Sequence, residues 1–279
     1  MSHEVVIETR HLTHVYAGGV LALNHIDLKI ERGNFVAIIG QNGSGKTTLA
    51  KHFNGLLKPT SGEVIVHGTN VEGAPIADLS RKVGYVFQNP DHQLCTTTVE
   101  EELSFGPRNL GIEPDEIKSR VLRLLRVFNL EEYRETHPFL LSRADRLRVA
   151  VCSILAMEPE TIVVDEPTTG QDMRQSYEVM ELLKQLNENG HTIVFITHNM
   201  RLVAEYARRT VVMKQGTIVM DDSTAEVFSS PDILAETYLS PPQITQLAQQ
   251  LDRYGIPRGI LSVREMNEVM QKIIKPRID

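Results

Sequence analysis

The stretch that most constrains this 279-residue chain is Phe35-Val36-Ala37-Ile38-Ile39, followed at once by Gly40-Gln41-Asn42-Gly43-Ser44-Gly45-Lys46-Thr47-Thr48. A short run that is apolar at every position reads as a strand covered on both faces. The first eight of the nine residues after it match G-x-x-x-x-G-K-[ST] and run into a helical pattern, the context in which that motif cradles phosphate. Glycine at such positions lets backbone N–H groups curl around an anion, and the helix start adds partial positive charge. Lys46 is placed to reach the outer two phosphates of a nucleotide, and Thr47 to supply a magnesium ligand. As a bare pattern the loop is also compatible with an ordinary glycine turn; the strand before it and the helix after it argue against that.

The buried-strand pattern returns at Thr161-Ile162-Val163-Val164-Asp165 and at Thr192-Ile193-Val194-Phe195-Ile196-Thr197, with a helical stretch over residues 173–189 between them. Strands alternating with helices predict a parallel α/β core. Asp165 closes its strand and Glu166 follows directly, an arrangement that puts one carboxylate on magnesium and the next beside an attacking water. Alone, an Asp-Glu pair at a strand end reads as a solvated turn.

Before the core, apolar residues alternate at Leu21 and Leu23, then at Ile26, Leu28 and Ile30, which predicts strands. Residues 89–156 hold no strand run, and residues 114–128 and 142–157 carry apolar spacing near 3.6, so a helical subdomain over about 89–157 is expected inside the core. After Asp222 the character changes again. Pro241-Pro242 introduces Ile244, Leu247 and Leu251, and Met266, Val269, Met270, Ile273 and Ile274 then form one helical stripe. That stripe fits packing onto the parent domain or contact with another subunit. The expected domains are therefore residues 1–222 and a helical extension, 223–279.

Composition narrows the partners. Hydrophobic residues at 41% and charged residues at 23% are ordinary for a soluble globular protein. A net charge of -7 offers no basic footprint for nucleic acid, so DNA and RNA are not expected partners. Cys95 and Cys152 lack metal-ligand spacing and read as thiols in a reducing compartment. The start of the chain carries no leader-like pattern and no run of about 18 apolar residues occurs, so work at a membrane requires another chain to hold this one there.

The order Gly40 to Thr48, Gln88, Leu141-Ser142, Asp165-Glu166-Pro167-Thr168, Asp172 and His198 resembles the motif series of ATP-binding-cassette (ABC) ATPases. The resemblance implies an α/β P-loop NTPase core, with an N-terminal antiparallel β subdomain, the helical insertion and the C-terminal extension. It implies ATP and Mg2+ as ligands, with contacts from Gly40, Asn42, Gly43, Ser44, Gly45, Lys46, Thr47 and Thr48. By the same likeness Tyr16 would stack on adenine and Gln88 would bridge magnesium, the water and the transporter. Asp165 would hold magnesium, Glu166 and His198 would serve the reaction at the γ-phosphate, and Ser142 would face the ATP of a second subunit. Singly, such a Tyr, Gln or His is more often a packing or surface residue.

The segment Gly84-Tyr85-Val86-Phe87-Gln88-Asn89-Pro90-Asp91-His92-Gln93-Leu94, then Thr98-Val99-Glu100-Glu101-Glu102 and Phe105-Gly106-Pro107, is similar to the energy-coupling-factor (ECF) ATPases. Those power uptake of vitamins and of cobalt or nickel ions, and their C-terminal segments, which the Pro241-Pro242 tail resembles, help two ATPases pair. This implies a peripheral protein on the cytoplasmic face of the membrane, with a transmembrane partner and, indirectly, a membrane-embedded substrate-binding subunit. One segment departs. ABC ATPases usually carry Leu-Ser-Gly-Gly-Gln where this chain has Leu141-Ser142-Arg143-Ala144-Asp145. Ser142 and Asp145 also make an [ST]-x-x-[DE] capping box, so the helix start is expected to persist while its ligand surface changes. Impairment of that half-site, which favours a heterodimer over a homodimer, stands against a second reading in which Arg143 supplies charge in the manner of an arginine finger. A regulatory nucleotide-binding module and a non-transport ABC protein are the competing functions. The latter class usually shows a coiled coil, zinc cysteines or two cassettes, which this sequence lacks.

Overall fold

The computed structural model describes residues 4–169 and 171–274. Strands β1 (Val5–Tyr16) and β2 (Val20–Glu31) form a hairpin closed at Gly18-Gly19. Its alternation slips between Leu23 and Ile26 because the register shifts there and His25 takes a positive φ of 49°, a bulge that re-aims the strand. A further register shift, between Leu21 and Leu23, leaves Leu23 buried and Leu21 exposed, a departure from the uniform alternation the sequence suggests.

Strand β3 (Phe35–Gly40) is buried at every residue and leads through the glycine loop into α1 (Lys46–Phe53). β4 (Ser61–Val66) and β5 (Thr69–Asn70) return to the hairpin and complete an antiparallel sheet of order β2-β1-β4-β5. After α2 (Ile76–Ser80) and β6 (Val83–Val86) come the helices α3 (Val99–Asn109), α4 (Pro114–Val127) and α5 (Arg143–Leu155). The first of these was hidden in the sequence by Gly106-Pro107. Thr98 caps its start and three glutamates occupy its first turn, while Pro107 falls in the last turn, where it costs the one ladder bond that its N–H would have given to the Leu103 carbonyl. Gly106 leaves room there for Met157, whose Sδ would lie 2.7 Å from a Cβ.

The chain then alternates through β7 (Thr161–Asp165), α6 (Met173–Glu188), β8 (Thr192–Ile196), α7 (Met200–Tyr206), β9 (Arg209–Lys214) and β10 (Thr217–Ser223). The second sheet has the order β10-β9-β3-β8-β7-β6, with parallel pairings except for the antiparallel edge strand β10. The expected α/β fold holds. Because β3 and β7 run the same way in one sheet, the glycine loop and Asp165-Glu166 emerge at the same edge, beyond the carboxyl ends of the strands, where α/β sheets bind ligands.

Four helices follow: α8 (Thr224–Ser229), α9 (Pro231–Glu236), α10 (Gln243–Gln250) and α11 (Val263–Ile274). Met266 is buried with Ala248, Ile256 and Ile260 in a small core, against which Val269 and Met270 pack. The stripe thus closes first on α10 rather than directly on the parent domain. Ile273 remains exposed, and the side chain of Ile274 lies outside the described residues. Gln249 Nε2 donates to the Phe228 carbonyl at 2.7 Å and ties α10 to α8. Both cysteines are free, and among the described residues no helix is long and apolar enough to cross a membrane.

Candidate functional site

The loop between β3 and α1 is shaped by its glycines. Gly40 and Gly45 have φ of 151° and 100°. A Cβ on Gly40 would lie 2.3 Å from the Met213 carbonyl oxygen, and one on Gly45 would lie 2.7 Å from that of Ala22. Neither position tolerates a side chain. Gly43 also has a positive φ, and Gly45, at the N-cap of α1, offers no side chain to its first N–H groups. The Ser44 hydroxyl is buried within the loop without a hydrogen-bond partner among the described residues.

The Lys46 side chain curls back under the loop, where its ammonium donates to the carbonyls of Gly40 (2.9 Å) and Gln41 (2.8 Å). Burial lowers its pKa, against the opposing pull of Glu166 and Asp165. Thr47 donates from Oγ1 to Asp165 Oδ1 at 3.2 Å, linking the loop to the end of β7. The other Asp165 oxygen accepts from the Tyr85 hydroxyl of β6 at 2.9 Å, so the carboxylate is fixed from both sides.

Glu166 sits at φ 52°, a left-handed backbone that costs a non-glycine residue about 1–3 kcal/mol. The neighbourhood over-determines it. Its N–H donates to the Ile196 carbonyl of β8 at 3.0 Å, and Oε2 accepts from Thr169 Oγ1 at 3.2 Å. Its side chain is 7% exposed, and burial raises its pKa, which makes it a stronger proton acceptor than a solvated carboxylate. His198 Nε2 approaches Oε1 to 2.9 Å without hydrogen-bond alignment. The His198 pKa is lowered, first by burial and then by the Lys46 charge, so the ring is neutral at pH 7.

A cleft of ≈ 320 Å³ gathers Asn42, Gly43, Gly45, Lys46, Thr47 and Thr48 with Gln88, Glu166, His198 and Tyr16. Gln88 is exposed just beyond β6, and Tyr16, 39% exposed, stands at the far rim beside Val20 and Leu21. Gly40 and Asp165 lie behind the wall, and Ser44 inside the loop. Ser142 is outside this cleft altogether, at the N-cap of α5 in the helical layer.

The capping box read in the sequence at Ser142 forms only in half. Ser142 Oγ accepts from the Asp145 N–H at 3.2 Å, as an N-cap should. The Asp145 carboxylate does not reach back to the N-cap backbone; it accepts the Ser142 hydroxyl hydrogen at 2.6 Å and pairs with Arg148 at 3.2 Å. The complete box lies instead at α6, between Asp172 and Gln175. Arg143 is exposed, with no side-chain partner among the described residues.

These features fit a nucleotide triphosphate with magnesium. The buried, unpartnered Ser44 hydroxyl and the uncapped start of α1 suit phosphate oxygens. Thr47, Asp165 and Gln88 offer the hard oxygen donors that magnesium takes alongside phosphates. The ABC transporter family profile matches residues 23–169, more than half of the chain. The chain belongs to the ABC transporter ATPase family.

Within that family its relatives include the ABC transporter ATP-binding protein TTE1589 of Caldanaerobacter subterraneus subsp. tengcongensis, 46% identical over 94% of this chain and 45% of the relative. The chain thus spans less than half the length of that relative. It matches nearly all of the energy-coupling factor transporter ATP-binding protein EcfA1 of the same organism, at 43% identity over 94% of this chain and 98% of the relative. Among solved structures, cbiO1 of Clostridium perfringens, part of the ABC transporter complex cbiONQ, superposes with a TM-score of 0.75 at 34% identity, covering 88% of this chain and 99% of that one. The resemblance to ECF ATP-binding proteins therefore holds.

Three residues of this ATPase's site escape a reading of motifs. Tyr85 braces Asp165; its only signal is a tyrosine inside the otherwise apolar strand β6. Thr169 holds Glu166, and the hydroxyl-rich Thr168-Thr169 that follows is a weak signal for it. His52, behind Thr48, has no signal at all, since its ring partner His14 comes from β1.

Proposed function

We propose that this chain binds and hydrolyses ATP with magnesium as one of two ATPase subunits that energise an ECF-type importer. The observation that carries the reading is the single cleft in which Lys46, Thr47, Gln88, Glu166 and His198 meet, while Ser142, on the same chain, lies outside it. Such a chain holds two half-sites that need a second subunit to complete them.

Magnesium, when bound, would offset the charge that develops on the phosphate in the reaction. Thr47, Asp165 and Gln88 would hold it. Lys46 exchanges its two loop carbonyls for phosphate oxygens. Glu166, with its raised pKa and fixed backbone, takes a proton from the attacking water, and the neutral His198 ring donates to the γ-phosphate. Tyr16 stacks on the base, with Val20 and Leu21 as the apolar rim.

The Ser142 hydroxyl has one hydrogen, and Asp145 already accepts it. A phosphate facing this segment meets a carboxylate in place of a free donor, so a homodimer would carry two impaired sites. A partner ATPase with an unaltered signature gives one productive site built on Lys46, Asp165, Glu166 and His198 of this chain. We therefore favour a heterodimer, held on the cytoplasmic face of the membrane by a transmembrane subunit. The C-terminal extension, residues 223–279, fits a pairing segment. The cargo, a cobalt or nickel ion or a vitamin, is met by a membrane-embedded substrate-binding subunit and reaches this chain only as motion.

Purification of the tagged chain from solubilised membranes tests this. The expected result is recovery with a second ATPase, a transmembrane subunit and a small membrane-embedded binding protein whose ligand names the cargo. Recovery of the chain only as a homodimer, with no membrane protein, would contradict it.

A further inference from the structure

Behind the base end of the cleft, two histidines lie beneath Tyr16. His14 lies two residues before Tyr16 on β1, on the same face of the strand. Its ring meets the tyrosine edge-on, with centroids 4.6 Å apart and planes at 78°. His14 also meets His52 of α1 edge-on, at 4.8 Å and 77°. His52 is fully buried, His14 is 7% exposed, and the three rings form a column that ends in the cleft.

Hydrogen bonds fix the tautomers. His52 Nδ1 lies 2.7 Å from the Thr48 carbonyl, which can only accept, so that nitrogen carries the proton. Burial lowers the His52 pKa to about 4, so the ring is neutral and Nε2 is an acceptor. His14 Nδ1, 3.2 Å from that acceptor and 3.1 Å from the Lys58 carbonyl, must be the donor to both. The column also grips Thr48 twice, because the Tyr16 hydroxyl lies 3.1 Å from Thr48 Oγ1 while His52 holds the carbonyl of the same residue.

We propose that the His14–His52 pair is a positioning unit for the nucleotide base, holding the Tyr16 ring so that the site distinguishes a nucleotide from bare polyphosphate. This rests on the stacking role given to Tyr16 above. Neither histidine touches the ligand. An unsupported Tyr16 keeps its hydroxyl bond to Thr48 but loses the ring edge that sets its orientation, and an edge-to-face contact of this kind is worth about three- to tenfold in binding.

The test compares MgATP with magnesium tripolyphosphate, titrated calorimetrically into the full chain. His14→Ala is expected to weaken MgATP about three- to tenfold and to change tripolyphosphate less than about twofold. His14→Asn, which keeps an N–H donor for the Lys58 carbonyl but removes the ring, should show the same selective loss and covers the case in which His14→Ala fails to fold. Equal losses for both ligands would show that the histidines only support the phosphate loop, and no loss for either would show that they do not act; each overturns the proposal. Tyr16→Ala separates the two claims. If it abolishes the preference for MgATP while the His14 variants leave it intact, the positioning role alone falls. If Tyr16→Ala itself leaves the preference intact, the stacking role falls and the proposal with it.

Discussion

The phosphate loop and the segment that opens α5 are both helix starts, and they treat their orphan N–H groups in opposite ways. At α1 the N-cap is Gly45, without a side chain, and the nearby Ser44 hydroxyl is buried without a partner. At α5 the N-cap is Ser142, whose oxygen accepts from Asp145 and whose hydrogen returns to the same residue's carboxylate. The first start leaves its donors for an external anion, and the second spends them internally and adds a negative charge. A motif that keeps its helix can therefore lose its ligand, because capping and anion binding draw on the same groups.

The largest effect should separate binding from chemistry in the α1 half. Glu166→Gln is expected to retain ATP binding and to lower turnover of the assembled complex about 10²–10⁴-fold. Lys46→Ala should instead lower ATP affinity about a hundredfold, since a buried charged donor is lost. Unchanged turnover in Glu166→Gln would remove the proton-accepting role from that residue.

A smaller effect probes the α5 half. Asp145→Ala leaves the Ser142 cap on the Asp145 N–H position and frees the hydroxyl hydrogen, so ATPase activity of the isolated chain should rise about three- to tenfold. A fall, with the helix content unchanged in circular dichroism, would mean that the carboxylate contributes to the site instead of blocking it.

The smallest effect concerns the buried underside of α1. His52 carries a pKa of about 4 against an ordinary 6.5, with burial as the main cause and the facing His14 ring as a minor one. The unfolded chain binds this proton more tightly, so the contribution is fully present above about pH 6.5 and is lost as pH falls toward about 4. Between about pH 6.5 and 5.5 it amounts to about 1 kcal/mol. Urea unfolding of the chain and of His52→Gln at both pH values should show the variant with the shallower loss; parallel losses would contradict the assignment.

How much of this was legible follows from which contacts are local. The strand, loop and helix around Lys46 are consecutive in the chain, and β7, α6 and β8 announce themselves by period alone. The helix α3 was hidden because Gly106 and Pro107, two breakers, fall in its last turn, where Gly106 allows the close approach of Met157 and Pro107 interrupts only the end of the ladder. Pattern placed Leu21 with the core, but the register shift between Leu21 and Leu23 turned it to the rim of the cleft. At Ser142 the sequence showed a capping box, but whether a carboxylate binds a backbone N–H or the serine hydroxyl depends on Arg148, one turn on, which pulls Asp145 outward. Tyr85 and the His14–His52 pair join strands and helices far apart in sequence, and no single-chain pattern marks such meetings.

The contrast between the two helix starts is tested most directly by restoring the α5 segment. Arg143→Gly, Ala144→Gly and Asp145→Gln together return the usual glycines and glutamine, and steady-state ATPase is then compared for the pure chain and for the complex purified from membranes. The account predicts a rise of at least about tenfold for the pure chain, in which both sites use the altered segment, and less than about twofold for the complex, whose productive site uses the partner's signature. Vigorous hydrolysis by the unmodified chain alone, unimproved by the restoration, would contradict it and would make Arg143-Ala144-Asp145 a working variant.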